Sequence, residues 1–191
     1  MDHTIKTLEP FQLLEPQECR HIIGLAGDQG LAQGTMAMGQ DHTIRSSSVA
    51  WLDLEPEPYY DIFKTVEGYT IDWIYTPLQI SRYQEDQFYD WHVDTLSSRR
   101  SSQRCLTLTC CLQPAADAVL RVGNRVFDLA LGEAVIFPSD TLHRADAPSQ
   151  GERWALTIWG MKHNKREAPA PEKPLAVNAE KGTASACGST N

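Results

Sequence analysis

Residues 88–94 read FYDWHVD, which sets His92 and Asp94 two apart in a run of aromatic side chains. On a strand, residues at i and i+2 share one face, so an imidazole and a carboxylate would converge while Val93 turns away. Two such donors are most of a metal site, and the third should come from a neighbouring strand. The chain has six histidines. His3 is near the terminus, His21 falls in a helical pattern, His42 in a polar stretch and His163 after the last apolar run, all ordinary places for the residue. His143, in FPSDTLHRADAP, follows an apolar strand pattern and a turn. His92, Asp94 and His143 together have the composition of the two-histidine, one-carboxylate triad, which leaves coordination positions open and suits non-haem Fe(II).

Ten residues after His143 stands Arg153, at the start of the strand pattern RWALTIW. A forked, permanently charged guanidinium on a strand suits two-point binding of a carboxylate. An Fe(II) centre that activates oxygen needs two further electrons per cycle, and a 2-oxo acid supplies them by decarboxylation. Arg153 would then hold the far carboxylate of that acid.

The elements needed to position these residues are legible around them. LLEPQECRHIIGLAGDQG has Pro16 at a helix start, apolar Cys19, Ile22, Ile23 and Ala26 at helical spacing, and glycines to stop it. A second helix is expected over PEPYYDIFKTVEGYTIDWIY, residues 56–75, ended by Pro77. Beyond it LQISRY, FYDWHVD, RCLTLTCCLQ, AVLRV, RVFDLA, EAVIFPS and RWALTIWG are short, β-branched or aromatic, and separated by turn residues. That texture predicts seven or eight strands in a sandwich or barrel behind a helical front. The region from Lys165 is rich in Ala, Pro, Glu, Lys and Ser, so the expected division is a folded domain over 1–164 and a disordered tail over 165–191.

Bulk properties narrow the function classes. A net charge of −8 over 191 residues, with a pI of 5.2, argues against a nucleic-acid partner that relies on a broad basic face. No run of about 18 apolar residues occurs, so no transmembrane helix and no membrane partner are expected. The five cysteines form no C-x-x-C pair and are odd in number, a pattern that suits reduced thiols in a cytoplasm.

The stretches LQISRYQEDQFYDWHVDTL, RCLTLTCCLQ and EAVIFPSDTLHRADAPSQGERWALTIWG resemble the 2-oxoglutarate- and Fe(II)-dependent dioxygenases of the prolyl 4-hydroxylase-like group. With LLEPQECRHIIGLA and IRSSSVAWL, the likeness spans most of residues 8–160. It implies an α+β, mainly β fold: a double-stranded β-helix (jelly-roll) barrel with N-terminal supporting helices. It implies iron on His92, Asp94 and His143, and the C5 carboxylate of 2-oxoglutarate on Arg153. Tyr83 matches a tyrosine that contacts the cosubstrate, and ascorbate is a possible accessory reductant. The implied reaction hydroxylates a prolyl residue in a peptide or protein. Free proline or another small molecule, and a non-catalytic binding module on the same barrel, are the alternatives.

Departures from the family pattern bear on detail. Cys111 stands where the oxygen-sensing prolyl hydroxylases carry a tyrosine, and alternation places Cys105, Thr107, Thr109 and Cys111 on one face, so Thr107 or Thr109 would supply the missing hydroxyl. Arg153, Ala155, Thr157 and Trp159 share a face that the family pattern turns inward, Ala155 leaving room for cosubstrate and Trp159 closing its pocket. The usual glycine pair is replaced by PAADAVL, which shortens a loop near the substrate entrance and suggests an open cleft edged by Tyr89, Trp91 and Arg104. A nucleic-acid demethylase of the related type would carry a second arginine where Trp159 stands, and a halogenase would lack Asp94.

Overall fold

The computed structural model describes residue 7 and residues 9–34, 44–52, 73–75, 77–95 and 104–162. Most of the second expected helix and the whole expected tail lie outside the described residues. Where the helix reading does meet the structure it fails, because Trp73–Tyr75 form strand β4, paired with the end of the last strand. Aromatic and β-branched side chains favour a strand there once a partner edge is available.

Two sheets face one another. Strand β1 is Phe11–Gln12, β2 Ala32–Gln33, β3 Ser48–Leu52, β5 Leu78–Tyr83, β7 Arg104–Gln113, β10 Glu133–Pro138 and β12 Arg153–Lys162. With β4 attached to β12, these form the major sheet in the order β1-β10-β7-β12-β5-β3-β2. The minor sheet comprises β6 (Tyr89–His92), β11 (His143–Ala145), β8 (Leu120–Val122) and β9 (Arg125–Phe127), in the order β6-β11-β8-β9. All the strand pairings among the described residues are antiparallel. The seven strand segments expected from the sequence are all present, and His143 proves to lie on a strand of its own.

The central strands are buried on both faces, and each face serves a different layer. On β7, Leu106, Leu108, Cys110 and Leu112 join Leu78, Ile80, Leu156 and Ile158 beneath helix α1 (Pro16–Gln29). That helix turns Cys19, Ile22 and Ala26 down onto this side of the sheet. Burying Ile22 alone is worth about 1.5–3 kcal/mol. Pro16 starts the helix, and the Glu15 backbone N–H donates to the Glu18 carboxylate at 2.6 Å. The opposite face of β7 meets the minor sheet across a second core of Cys111, Leu120, Val122, Phe127, Leu129, Val135 and Phe137. This second core fills only one end of the space between the sheets. The other end is the cavity described below.

Candidate metal centre and carboxylate pocket

Register brings the two histidines together. His92 on β6 and His143 on β11 are direct partners across an antiparallel pair, with ring centroids 4.1 Å apart. Asp94 lies just past the end of β6, where its backbone N–H donates to the Ser139 carbonyl at 2.9 Å. The donor atoms of His92, Asp94 and His143 all fall within 4.8 Å of one another.

Backbone carbonyls fix which nitrogen of each ring is available. His92 Nδ1 donates to Asp90 O at 2.7 Å and His143 Nδ1 to Thr141 O at 2.9 Å. A carbonyl only accepts, so Nδ1 of each ring carries a proton and Nε2 is the nitrogen turned toward Asp94. His92 Nε2 lies 3.7 Å from Asp94 Oδ1, and His143 Nε2 lies 3.5 Å from Asp94 Oδ2. Ligands at right angles about an ion bound at roughly 2.1 Å stand about 3 Å apart. A small contraction would therefore close the three donors on one ion.

Burial and the neighbouring His143 push the His92 imidazole down to about 3, against the pull of Asp94, so the ring is neutral and no proton competes for its lone pair at neutral pH. Burial pushes the Asp94 carboxyl up, but His143, His92, the Trp159 indole and the Thr107 hydroxyl outweigh it and hold the group below its ordinary value. The result is an anionic oxygen beside the neutral nitrogen donor of His92.

Supporting contacts orient this trio. Tyr89 stacks on the His92 ring with centroids 3.4 Å apart, and Phe137 meets the His143 ring edge-on at 4.8 Å. Burial raises the Tyr89 phenol to about 12, so it stays protonated. The Thr107 hydroxyl donates to Asp94 Oδ2 at 2.7 Å and lies 3.0 Å from Ser139 Oγ. Thr107 is thus engaged by the carboxylate, and Thr109 is the hydroxyl of β7 that lines the cavity. Removing a hydrogen bond to a metal-binding carboxylate commonly weakens metal binding by about 10–100-fold. Thr107→Val is expected to lower Fe(II) affinity by that order in a titration of the metal-free protein. The Michaelis constant for 2-oxoglutarate should stay unchanged, since the hydroxyl faces Asp94.

Arg153 enters the same cavity from β12, together with Ala155, Thr157 and Trp159, while Tyr83 enters from β5. The inward face expected from strand alternation on β12 is the face observed. Arg153 is only 3% exposed, and among the described residues no carboxylate lies within ion-pair distance of it. Its guanidinium sits 5.4 Å from the centre of the Tyr83 ring. A buried cation left without an anion is costly, and an incoming carboxylate would relieve that cost.

The expected cleft residues divide. Tyr89 lines the cavity, and Arg104 covers the Trp159 ring at 3.7 Å. Trp91 does not join them: it is 40% exposed on the other face of β6, 5.8 Å from the Arg144 guanidinium. Trp91 follows alternation and points opposite to its neighbour His92, whereas Tyr89 departs from it: the register shift between the His143–His92 and Ala145–Tyr89 pairs accompanies the turn of Tyr89 onto the cavity side. Two polar residues of the cavity wall, Gln79 and Ser81, and the buried Arg45 bonded to both, did not emerge from the sequence. For Gln79 and Ser81 the signal was the alternation in LQISRY, which pairs Leu78 and Ile80 with one core and leaves Gln79 and Ser81 for the other face.

Residues 78–161 match the model of the 2OG-Fe(II) oxygenase superfamily. A PKHD-type hydroxylase of Synechococcus sp. (strain CC9605) is 28% identical over 113 residues, covering 55% of this chain and 49% of that protein. A second, from Psychrobacter sp. (strain PRwf-1), is 33% identical over 95 residues, covering 44% of this chain and 37% of that protein. The chain thus spans less than half the length of these curated relatives. Among solved structures, the viral collagen prolyl hydroxylase of Paramecium Bursaria Chlorella virus-1, in its 2OG complex, has a TM-score of 0.66 at 17% identity, covering 83% of this chain and 97% of that one. A Pseudomonas putida prolyl-4-hydroxylase has a TM-score of 0.63 at 18% identity, covering 81% and 92%. A Trichoplax adhaerens prolyl hydroxylase, solved with a hypoxia inducible factor peptide fragment, has a TM-score of 0.62 at 18% identity, covering 82% and 83%. These structural likenesses establish the jelly-roll fold. Among the described residues no helix is long and apolar enough to cross a membrane. The stretch that matches the 2OG-Fe(II) oxygenase superfamily model, residues 78–161, holds the convergent His-Asp-His set inside a jelly roll, a donor set that fits Fe(II), with a buried arginine that fits the carboxylate of 2-oxoglutarate.

Proposed function

We propose that this chain is a 2-oxoglutarate- and Fe(II)-dependent hydroxylase acting on a prolyl residue of a peptide or protein. The observation that carries the reading is one cavity holding two bare Nε2 donors, a carboxylate and a buried arginine with no described acid partner. Bound Fe(II) and 2-oxoglutarate supply oxygen-dependent oxidation of a C–H bond, with succinate and CO2 as coproducts. The prolyl substrate is suggested by the Pseudomonas putida, viral and Trichoplax relatives, each of which is a prolyl hydroxylase.

The protein's own part is binding, orientation and water exclusion. His92, Asp94 and His143 would hold the metal on one side, leaving its remaining positions toward the cavity. Arg153 would pair with the far carboxylate of the cosubstrate, with Tyr83 beside it and Thr109 and Thr157 on the walls. Trp159 spans the cavity between Asp94 and Arg104 and shields the carboxylate from water. Arg104, at the edge beyond Trp159, would meet the substrate.

Proline-containing peptides should raise succinate formation above the uncoupled background and gain one oxygen by mass. Arg104→Ala should raise the peptide's Michaelis constant and leave that for 2-oxoglutarate unchanged, while Trp91→Ala should change neither. Turnover of free proline or another small molecule, with every peptide inert, would replace the peptide reading and leave the oxygenase reading standing.

A further inference from the structure

The polar wall missed in the sequence has a definite chemistry. Residues 44–46 run beside β6, with Asp90 N donating to Ile44 O at 2.7 Å and Ser46 N to Phe88 O at 3.0 Å. The chain then crosses into β3 of the major sheet, and Arg45 is left between the two layers. It is 4% exposed, with Gln79 at 7% and Ser81 at 2%. Its Nε donates to Ser47 Oγ at 2.8 Å, and its Nη2 to Gln79 Oε1 at 3.1 Å and Ser81 Oγ at 3.2 Å. The guanidinium also lies 4.5 Å from the centre of the Tyr89 ring. Gly34 passes directly over it, since a Cβ there would stand 2.6 Å from Arg45 Nε. The chain makes room for this cation, yet no carboxylate among the described residues lies within ion-pair distance of it.

Two consequences follow. Arginine only donates, so Gln79 must turn its oxygen toward Arg45 and its amide NH2 away from it. Ser81 accepts from Arg45 and donates to the same Gln79 oxygen at 3.5 Å, which fixes that orientation from two sides. Gln79 lines the cavity with Asp94, Thr157 and Trp159, so its NH2 is the donor this wall offers a ligand.

The second consequence is a charge imbalance. Dianionic 2-oxoglutarate neutralises a ferrous ion, leaving Asp94 as the one carboxylate lining the cavity among the described residues, against Arg153 on the wall, Arg45 behind Gln79 and Tyr89, and Arg104 behind Trp159. Cosubstrate does not explain the Gln79 donor. Arg153 pairs with Tyr83 and Thr157 with Gln79, four residues along β5, which is about 13 Å at the rise of a strand. A five-carbon acid held at Arg153 and at the metal has both carboxylates engaged.

We infer that Gln79, oriented by Arg45, receives a carboxylate of the substrate, so that the substrate class of this site is carboxylate-bearing. The inference rests on the hydroxylase reading for the site's use and names its substrate chemistry. The carboxylate has two possible sources, a free amino acid or an acidic side chain beside the target residue in a peptide.

The test is calorimetric, on the full chain loaded with Mn(II) and 2-oxoglutarate, so that binding is read without turnover. Four probes form two pairs: L-proline against L-prolinamide, and a capped peptide with glutamate beside proline against the same peptide with glutamine. The acid of at least one pair should bind about tenfold tighter than its amide, the scale of a hydrogen bond to a charged group. The pair that discriminates identifies the source. Gln79→Met should abolish that preference while Mn(II) stoichiometry and 2-oxoglutarate affinity hold. Equal binding within both pairs, or binding by none of the four, overturns the inference. So does a loss of 2-oxoglutarate affinity in Gln79→Met, which would assign the donor to the cosubstrate. A probe that binds with acid preference but yields no succinate with Fe(II) and oxygen sinks the hydroxylase reading instead and leaves this one standing.

Discussion

Replacing His143 with alanine is expected to abolish stoichiometric iron binding and reduce 2-oxoglutarate consumption to background. His143 supplies one of the two nitrogen donors, and its Nε2 stands 3.5 Å from Asp94 Oδ2 with no other described His or Cys grouped with these donors. A two-donor remnant would hold ferrous ion far more weakly, because the chelate is broken. The fold should survive, since the principal core lies on the far side of the major sheet beneath α1. Iron content after dialysis, read beside the far-ultraviolet circular dichroism spectrum, checks both halves. His92→Ala should behave alike. Full iron and full turnover in either variant would place the metal elsewhere.

The second large effect concerns Arg153. Truncating it to alanine removes a two-point contact to a carboxylate in a buried pocket, a loss of roughly 2–5 kcal/mol for a desolvated charge pair. The Michaelis constant for 2-oxoglutarate should therefore rise by at least about tenfold, with iron content unchanged because Arg153 touches none of the three donors. Lysine should restore part of the loss, supplying charge without the planar fork. A constant indifferent to Arg153→Ala would transfer the anchor to another cation, and Arg45, buried behind Gln79 and Tyr89 of the cavity wall, is the next guanidinium.

Much of this arrangement was legible because strands encode direction by parity. His92 and Asp94 share parity on and just past β6, Arg153, Ala155, Thr157 and Trp159 share parity on β12, and both sets do face the cavity. Trp91 illustrates the same rule from the other side: expected at the cleft edge with Tyr89 and Arg104, it stands one residue from His92, and that odd spacing sends it to solvent. The second expected helix ran too far because TIDWIY carries apolar residues compatible with either period. Only the partner edge of β12 reveals Trp73–Tyr75 as a strand.

Other features depend on contacts distant in sequence. The carbonyls of Asp90 and Thr141 that set the histidine tautomers belong to the backbone, which side-chain types do not announce. Arg45 lies 34 residues from Gln79, and its importance arises from the crossing between sheets that buries it. In the sequence it is one basic residue in IRSSSVAWL. In the fold it is a cation without a described acid partner, a few ångströms from the face of Tyr89.

The central claim is that this cavity couples Fe(II) to 2-oxoglutarate. Its most direct test measures succinate from 2-oxoglutarate by protein reconstituted anaerobically with one equivalent of Fe(II), before and after admission of oxygen. Succinate should form only when Fe(II) and oxygen are both present, and be lost in His143→Ala and, at low 2-oxoglutarate, in Arg153→Ala. Stoichiometric iron bound through these residues, with no 2-oxoglutarate consumed under oxygen across the peptide and amino-acid panel, would contradict it.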